Sequence, residues 1–126
     1  MVAPKAAFSG FSVDDLGKAK EFYGKVLGLK TEEAMSGLRV VLPHGAEVWM
    51  YPKDNHEPAS YTALNFVVED IDKAVDALAK QGVKFEHYEG MHQDDQGIAR
   101  GKEQNMGPNI AWFKDPAGNI LAVLES

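Results

Sequence analysis

The strongest constraint in this 126-residue sequence is that one pattern occurs in it twice. Residues 11–19 read FSVDDLGKA and residues 66–74 read FVVEDIDKA, and later LPHGAEVWMY (42–51) corresponds to DPAGNILAVL (115–124). Each copy starts with a β-like run and then changes to helical spacing of its apolar residues. Each copy therefore predicts a strand, a helix and three further strands, whereas two unrelated amphipathic helices would be the alternative.

The predicted helices span 15–27 and 71–81, and each has a start and a stop signal. Asp15 and Asp70 stand at the starts, where an aspartate can cap a helix by accepting a backbone N–H bond. Gly28 and Gly82 stand where a left-handed residue would end each helix. Both copies thus predict a helix directly after their first strand.

The remaining periodicity predicts strands at 6–13, 29–35, 38–42 and 46–52, then at 61–68, 83–88, 109–114 and 119–124. The fold class is α+β, with two tandem βαβββ modules forming a curved, partly closed eight-stranded mixed sheet around a cleft. We expect one domain, residues 1–126, made of repeats 5–52 and 61–126 with a polar linker at 53–60. The polar, glycine-rich segment 89–107 is predicted to be a long loop.

Composition excludes several classes of function. The formal net charge is −6, which argues against nucleic acid or an anionic membrane surface as a partner. The sequence has no cysteine, so it holds no disulfide, thiolate metal site or cysteine nucleophile. No stretch approaches the about 20 apolar residues that span a bilayer, and the first fifteen residues lack an apolar run of signal-peptide length. We expect a cytoplasmic protein.

One helix per module covers only one face of its sheet, so the other face of each strand is left uncovered. The uncovered faces mix large aromatic residues with small ones, which fits either tight packing or the wall of a pocket. Glu47 and Asn65 favour a pocket, because polar groups on a buried face need partners. The residues assigned to these faces are Phe8, Gly10, Ser12, Glu47, Trp49, Tyr51, Ala63, Asn65, Val67, Trp112, Ile120, Ala122 and Leu124.

Three segments, 11–29, 66–78 and 112–125, resemble the vicinal oxygen chelate superfamily. This group contains glyoxalase I, extradiol dioxygenases, fosfomycin-resistance transferases and bleomycin-resistance proteins. The resemblance implies paired βαβββ modules wrapped around a cleft, often in a homodimer.

The resemblance also implies where a metal ion would be held, and this sequence departs from it there. Enzymes of the superfamily bind a divalent metal through histidine, glutamate or glutamine on the first and fourth strands of each module. The matching positions here are Phe8, Trp49, Ala63 and Ala122, none of which is a metal ligand. The histidines lie in predicted turns, linkers and loops, and the cluster EHYEGMHQDD (86–95) has no spacing of a rigid site. We expect no metal and no other cofactor.

The predicted function is metal-independent binding or sequestration of a small aromatic or cationic organic molecule, similar to that of bleomycin-resistance proteins. The aromatic residues would supply stacking surface. Glu47 with Asp94 and Asp95 would attract a cation, although these two aspartates also fit a solvated loop tip. The predicted ligand-binding residues are Phe8, Glu47, Trp49, Tyr51, Ala63, Asn65, Trp112 and Ala122, and no catalytic residue is predicted.

Two alternatives stay open at this point. One is an enzyme of the same superfamily, a lyase, isomerase or oxygenase, that uses a divalent metal or another site not recognised in the sequence. The other is an interaction protein whose uncovered faces serve only to form a homodimer.

Overall fold

The computed structural model describes residues 1–126, and it confirms the α+β class and the two βαβββ modules. The chain divides into two compact units, Met1–Pro58 and Ala59–Ser126. The first unit contains β1 (Ser9–Val13), α1 (Leu16–Glu21) with a π-helical turn (Phe22–Val26), β2 (Lys30–Ala34), β3 (Gly37–Val41) and β4 (Glu47–Pro52). The second contains β5 (Thr62–Val67), α2 (Ile71–Lys80), β6 (Ala99–Arg100), β7 (Asn109–Lys114) and β8 (Ile120–Glu125).

The eight strands form two four-stranded mixed sheets, one in each unit. Their strand orders are β1-β4-β3-β2 and β5-β8-β7-β6. The first and last strands of each unit pair in parallel, and all other pairs are antiparallel. The repeat read from the sequence is therefore a repeat of topology.

Both predicted helix caps are confirmed. The Asp15 carboxylate accepts the Lys18 backbone N–H at 3.0 Å, and the Asp70 carboxylate accepts that of Lys73 at 3.1 Å. Gly28 and Gly82 have positive φ angles of 71° and 93°, which a residue without Cβ adopts at little cost. No helix combines the length and the apolar character that crossing a bilayer requires.

Alternate strand residues point into the core, as the pleat of a strand requires. In the first unit the buried set is Val13, Leu38, Val40, Val48 and Met50, each at most 2% exposed. In the second unit the strand residues Ala111, Phe113, Leu121 and Val123 are buried, as are Ile71 and Val75 of α2.

The predicted strand at 83–88 is wrong. Phe85 forms only an isolated bridge with Phe113, and the Glu86 N–H donates to the Trp112 carbonyl at 2.8 Å. The outer strand is instead the two-residue β6, which lies within the segment predicted as a loop and pairs with Asn109 and Ile110. Two short pieces therefore share the edge of β7, one at each end, and neither is long enough to extend as a regular strand.

A β-bulge changes the register of the second unit. Thr62 pairs with Ile120 and Leu64 pairs with the next residue, Leu121, so β5 holds one extra residue at Ala63. The alternation read from the sequence assigned Ala63 to the uncovered face. In the structure Thr62, and not Ala63, lies opposite Ile120, because the extra residue shifts the pairing by one.

Candidate functional site

The uncovered face of the first sheet carries a row of four residues in register across four strands. Trp49 of β4 lies between Gly10 of β1 and Arg39 of β3, and Arg39 is opposite Glu32 of β2. The half-buried indole therefore has a residue without a side chain on one flank and a guanidinium on the other.

The ring of Trp49 lies against the backbone of Gly37. A Cβ atom at position 37 would come within 2.4 Å of the indole Cζ2 and 2.7 Å of Cη2, well inside van der Waals contact. Only glycine leaves this space free, so Gly37 is what allows the indole to lie in this position.

Arg39 is a site residue that the sequence analysis did not single out. Its Nη1 donates to Glu32 at 2.6 Å, and its Nη2 donates to Glu47. The hydrogen bond from Arg39 lowers the pKa of the Glu47 carboxyl, and the two glutamates raise the pKa of the guanidinium. Glu47 is therefore held in an ion pair with Arg39. Lys30 lies 3.7 Å from Glu32, so two cationic and two acidic side chains balance on this part of the sheet.

A hollow of about 170 Å³ opens on this face and is lined by Phe8, Arg39, Glu47, Val48 and Trp49. Three of the predicted binding residues thus lie together. Phe8 immediately precedes β1 and is 69% exposed. Tyr51, two residues beyond Trp49 on β4, is 40% exposed and does not line the hollow.

In the second sheet Ala122 of β8 lies between Asn65 of β5 and Trp112 of β7. Ala122 is fully buried, Trp112 is half-buried and Asn65 is exposed. These three predicted residues are neighbours, whereas Ala63 occupies the bulge.

A second hollow, of about 230 Å³, is formed by Ile110 and Trp112 of β7 together with residues of the segment 90–108. Tyr88 contacts Trp112 edge-to-face, with 5.6 Å between ring centroids. Its hydroxyl is buried without a hydrogen-bond partner, and burial, with a smaller effect of Glu86, raises the pKa of Tyr88.

Asp94 is neither a free anion nor a solvated loop tip. Its carboxylate accepts the backbone N–H groups of Gln96 and Ile98, both at 2.9 Å, and bonds Arg100 at 3.1 Å. Asp95 beside it is exposed. The charge of Asp94 is therefore used to organise its own segment.

The sequence of this chain matches a known protein family. A family model described as the Glyoxalase/Bleomycin resistance protein/Dioxygenase superfamily matches residues 7–123. The chain belongs to this superfamily. No curated protein sequence matches the chain.

Solved structures of the superfamily fold cover nearly the whole chain. A superfamily member from Sphaerobacter thermophilus is 25% identical with a TM-score of 0.67, covering 96% of this chain and 98% of that one. A fosfomycin resistance protein from Listeria monocytogenes is 14% identical with a TM-score of 0.70, covering 100% and 95%. An antibiotic binding protein from Streptomyces is 20% identical with a TM-score of 0.66, covering 99% and 98%.

The metal ion used by enzymes of the superfamily does not fit the residues found here. The four matching positions, Phe8, Trp49, Ala63 and Ala122, offer hydrocarbon or an indole N–H, and none of these donates a lone pair to a metal. No group of three or more histidine, cysteine, aspartate or glutamate residues lies close enough to hold an ion elsewhere.

Proposed function

We propose that this protein binds a small aromatic molecule in the hollow beside Trp49, without a metal ion, and thereby sequesters it. The single observation that carries the proposal is the half-buried indole of Trp49, fixed by Gly37 at a position where the superfamily's enzymes would carry a metal ligand. A ring that already lies against the backbone in the free protein offers a preformed stacking surface.

The neighbours of Trp49 support stacking. Gly10 leaves the β1 flank of the indole without a side chain, and Phe8 contributes a second exposed aromatic ring to the same hollow. An aromatic pair contributes about 0.5–1.5 kcal/mol beyond the area that it buries. Two such contacts, together with the buried area, support affinity in the micromolar range.

Charge supports a neutral or cationic ligand over an anionic one. Arg39 is already paired with Glu32 and Glu47, so its guanidinium is not free to hold an anion. The whole chain carries a formal charge of −6, which repels anions at long range.

One protein with this fold supports sequestration as the outcome of binding, because it is described as an antibiotic binding protein. Tyr51 lies on the same face of β4 as Trp49 but does not line the hollow, so its role in binding also stays a prediction. The binding roles of Ala63, Asn65 and Ala122, the homodimer and the cytoplasmic location stay predictions.

Titration with a matched set of planar probes tests the proposal: quinoline (neutral), N-methylquinolinium (cationic) and naphthoate (anionic). Binding is followed by calorimetry in every variant and, in the proteins that keep Trp49, also by its indole N–H resonance. We expect the first two to bind, and Trp49→Ala to weaken them at least about tenfold, since stacking and buried area are lost together. Tyr61→Ala, which removes a 71% exposed aromatic residue outside the hollow, serves as the control. Unchanged affinity in Trp49→Ala would overturn the proposal.

A further inference from the structure

The segment 89–107 is far more ordered than a polar, glycine-rich stretch requires. The Gln93 side chain accepts the Tyr88 N–H at 2.7 Å and donates to the carbonyls of Glu86 at 2.8 Å and Gly97 at 2.7 Å. Ile98 is fully buried at its centre. Three hydrogen bonds from one glutamine fold the segment into a compact turn.

Two ion-pair groups then fasten this segment to the rest of the second unit. Arg100 bonds Asp72 of α2 at 2.7 Å as well as Asp94 at 3.1 Å. Lys102 bonds Glu125 of β8 at 2.7 Å, and the other oxygen of Glu125 accepts the Ile71 N–H at the start of α2. The segment is therefore a fixed wall for the hollow of about 230 Å³ over β7.

Apolar side chains make up much of the lining of this hollow, although the segment is otherwise polar. The polar side chains of the lining are His92, Arg100 and Gln104. Met91 is 44% exposed and Met106 is 78% exposed, and both line the hollow with Ile110 and Trp112. Methionine side chains are flexible and polarizable and make favourable contacts with aromatic rings. Two methionines and an indole around one hollow form an adaptable surface for a flat apolar molecule.

The volume of the hollow and the charges in its lining limit the class of molecule that it can bind. A cavity of about 150 Å³ holds a single benzene ring, and pockets for drug-sized ligands span about 300–1,000 Å³. The hollow of about 230 Å³ lies between these limits. Arg100, whose side chain lines the hollow, is already paired with two aspartates and is not available to an anion.

We propose that the hollow formed by Met91, Met106, Ile110 and Trp112 is a second binding site, contained within the second unit, for an uncharged bicyclic aromatic molecule. The site does not contain Trp49, so its test can succeed or fail independently of the function proposed above. The two tryptophans lie in different hollows and act as separate reporters.

Naphthol and naphthoate, a neutral and an anionic bicyclic probe of the same ring size, are titrated into the full chain. The two indole N–H resonances are followed by NMR and assigned with Trp49→Phe and Trp112→Phe. We expect naphthol to shift the Trp112 resonance with saturation, also in Trp49→Phe, and naphthoate to bind at least about tenfold more weakly. Equal binding of the two probes would overturn the uncharged class, and a shift confined to Trp49 would overturn the site.

The methionines are tested by the double variant Met91→Gln/Met106→Gln, which preserves side-chain length at exposed positions. We expect it to weaken naphthol binding at Trp112 at least about threefold, because the thioether–aromatic contacts are lost. Met35→Gln is the matched control, since Met35 is 93% exposed in the first unit. Equal affinity in the double variant and the control would count against the site.

Discussion

The indole of Trp49 fills the space that any side chain at position 37 would need, since a Cβ on Gly37 would lie 2.4 Å from Cζ2 of the ring and 2.8 Å from the Met50 carbonyl oxygen. The position of this stacking surface in the first unit thus depends on Gly37, which lies two residues before Arg39 on β3. A change at Gly37 must move the ring, the backbone of β3 or both.

Gly37→Ala is therefore expected to lower the free energy of unfolding by about 1–3 kcal/mol through overpacking. It should also weaken binding of quinoline at Trp49. Gly17→Ala is the control, because a Cβ at Gly17 in α1 meets its nearest atom at 3.4 Å, and alanine favours a helix. Urea denaturation measures both variants, and equal stability of the two would show that the indole adapts freely.

Arg39→Gln is expected to reduce the difference in the free energy of unfolding between neutral and acidic pH. Because the hydrogen bond from Arg39 lowers the pKa of Glu47 from its ordinary 4.5, the folded state binds this proton less readily than the unfolded state. The Arg39–Glu47 pair therefore stabilises the fold at pH values above 4.5. This contribution is lost as the pH falls through the lowered pKa of Glu47.

Urea denaturation at about pH 7 and about pH 3 measures this effect, and the difference between wild type and Arg39→Gln should be larger at the higher pH. Lys30→Gln is the charge-matched control, because Lys30 lies 3.7 Å from Glu32 with a 71% exposed side chain. A difference that grows in acid would contradict the assigned ion pair.

Gln93→Ala is expected to loosen the segment 89–107. The change leaves the Tyr88 N–H and the Glu86 and Gly97 carbonyls without their partner, and each unsatisfied group costs about 1–3 kcal/mol where water cannot replace it. Limited proteolysis should cut the variant within this segment first. Gln96→Ala, at an exposed neighbour, should be cut at the wild-type rate.

Ser36→Gly is expected to stabilise the first unit. Met35 and Ser36 connect β2 to β3 with φ angles of 48° and 63°, a left-handed pair in which glycine is preferred. The left-handed conformation costs a non-glycine residue about 1–2 kcal/mol, and the extra backbone entropy that glycine loses on folding offsets about 0.5–1 kcal/mol of this. The expected net gain in thermal or urea denaturation is therefore about 0.5–1 kcal/mol. Ser60→Gly, where φ is not positive, should give no gain, and an equal gain at both positions would rule out relief of strain at the turn.

Metal analysis of the protein purified without a histidine tag should give far less than one ion per chain. The reason is the side chains at Phe8, Trp49, Ala63 and Ala122, which carry no metal donor. Overnight treatment with a chelator should leave quinoline binding unchanged. Stoichiometric nickel, zinc, iron or manganese would instead support the enzyme alternative.

Local signals in the sequence predicted the fold well. Asp15, Asp70, Gly28 and Gly82 act within their own helix ends, so their roles do not depend on distant residues. The strand predicted at 83–88 failed because its outcome depends on which piece of chain reaches the edge of β7, and β6 occupies part of that edge.

The candidate site was only partly predictable. Alternation placed Glu47 and Trp49 on one face, but Arg39 was missed because its role depends on the register of three strands. The two-residue turn at Met35 and Ser36 fixes that register and places Arg39 opposite Glu32, so a hairpin reading of residues 30–41 was the signal that could have found it. Asp94 was misjudged because its partner Arg100 lies in the two-residue strand β6, which is too short to show a periodic pattern in the sequence.

The extra residue in β5 also affects which residues of the two βαβββ units correspond. The pair Leu64 and Leu121 corresponds to the pair Ser9 and Val48 of the first unit, but before the bulge the correspondence shifts by one, so Thr62 stands opposite Ile120. The equivalence of the two first strands therefore begins only at Leu64. To rebuild a metal site in the second unit, a metal-ligating side chain would therefore have to be introduced at position 62. A position chosen from the sequence alignment alone would be 63, which is one residue too late.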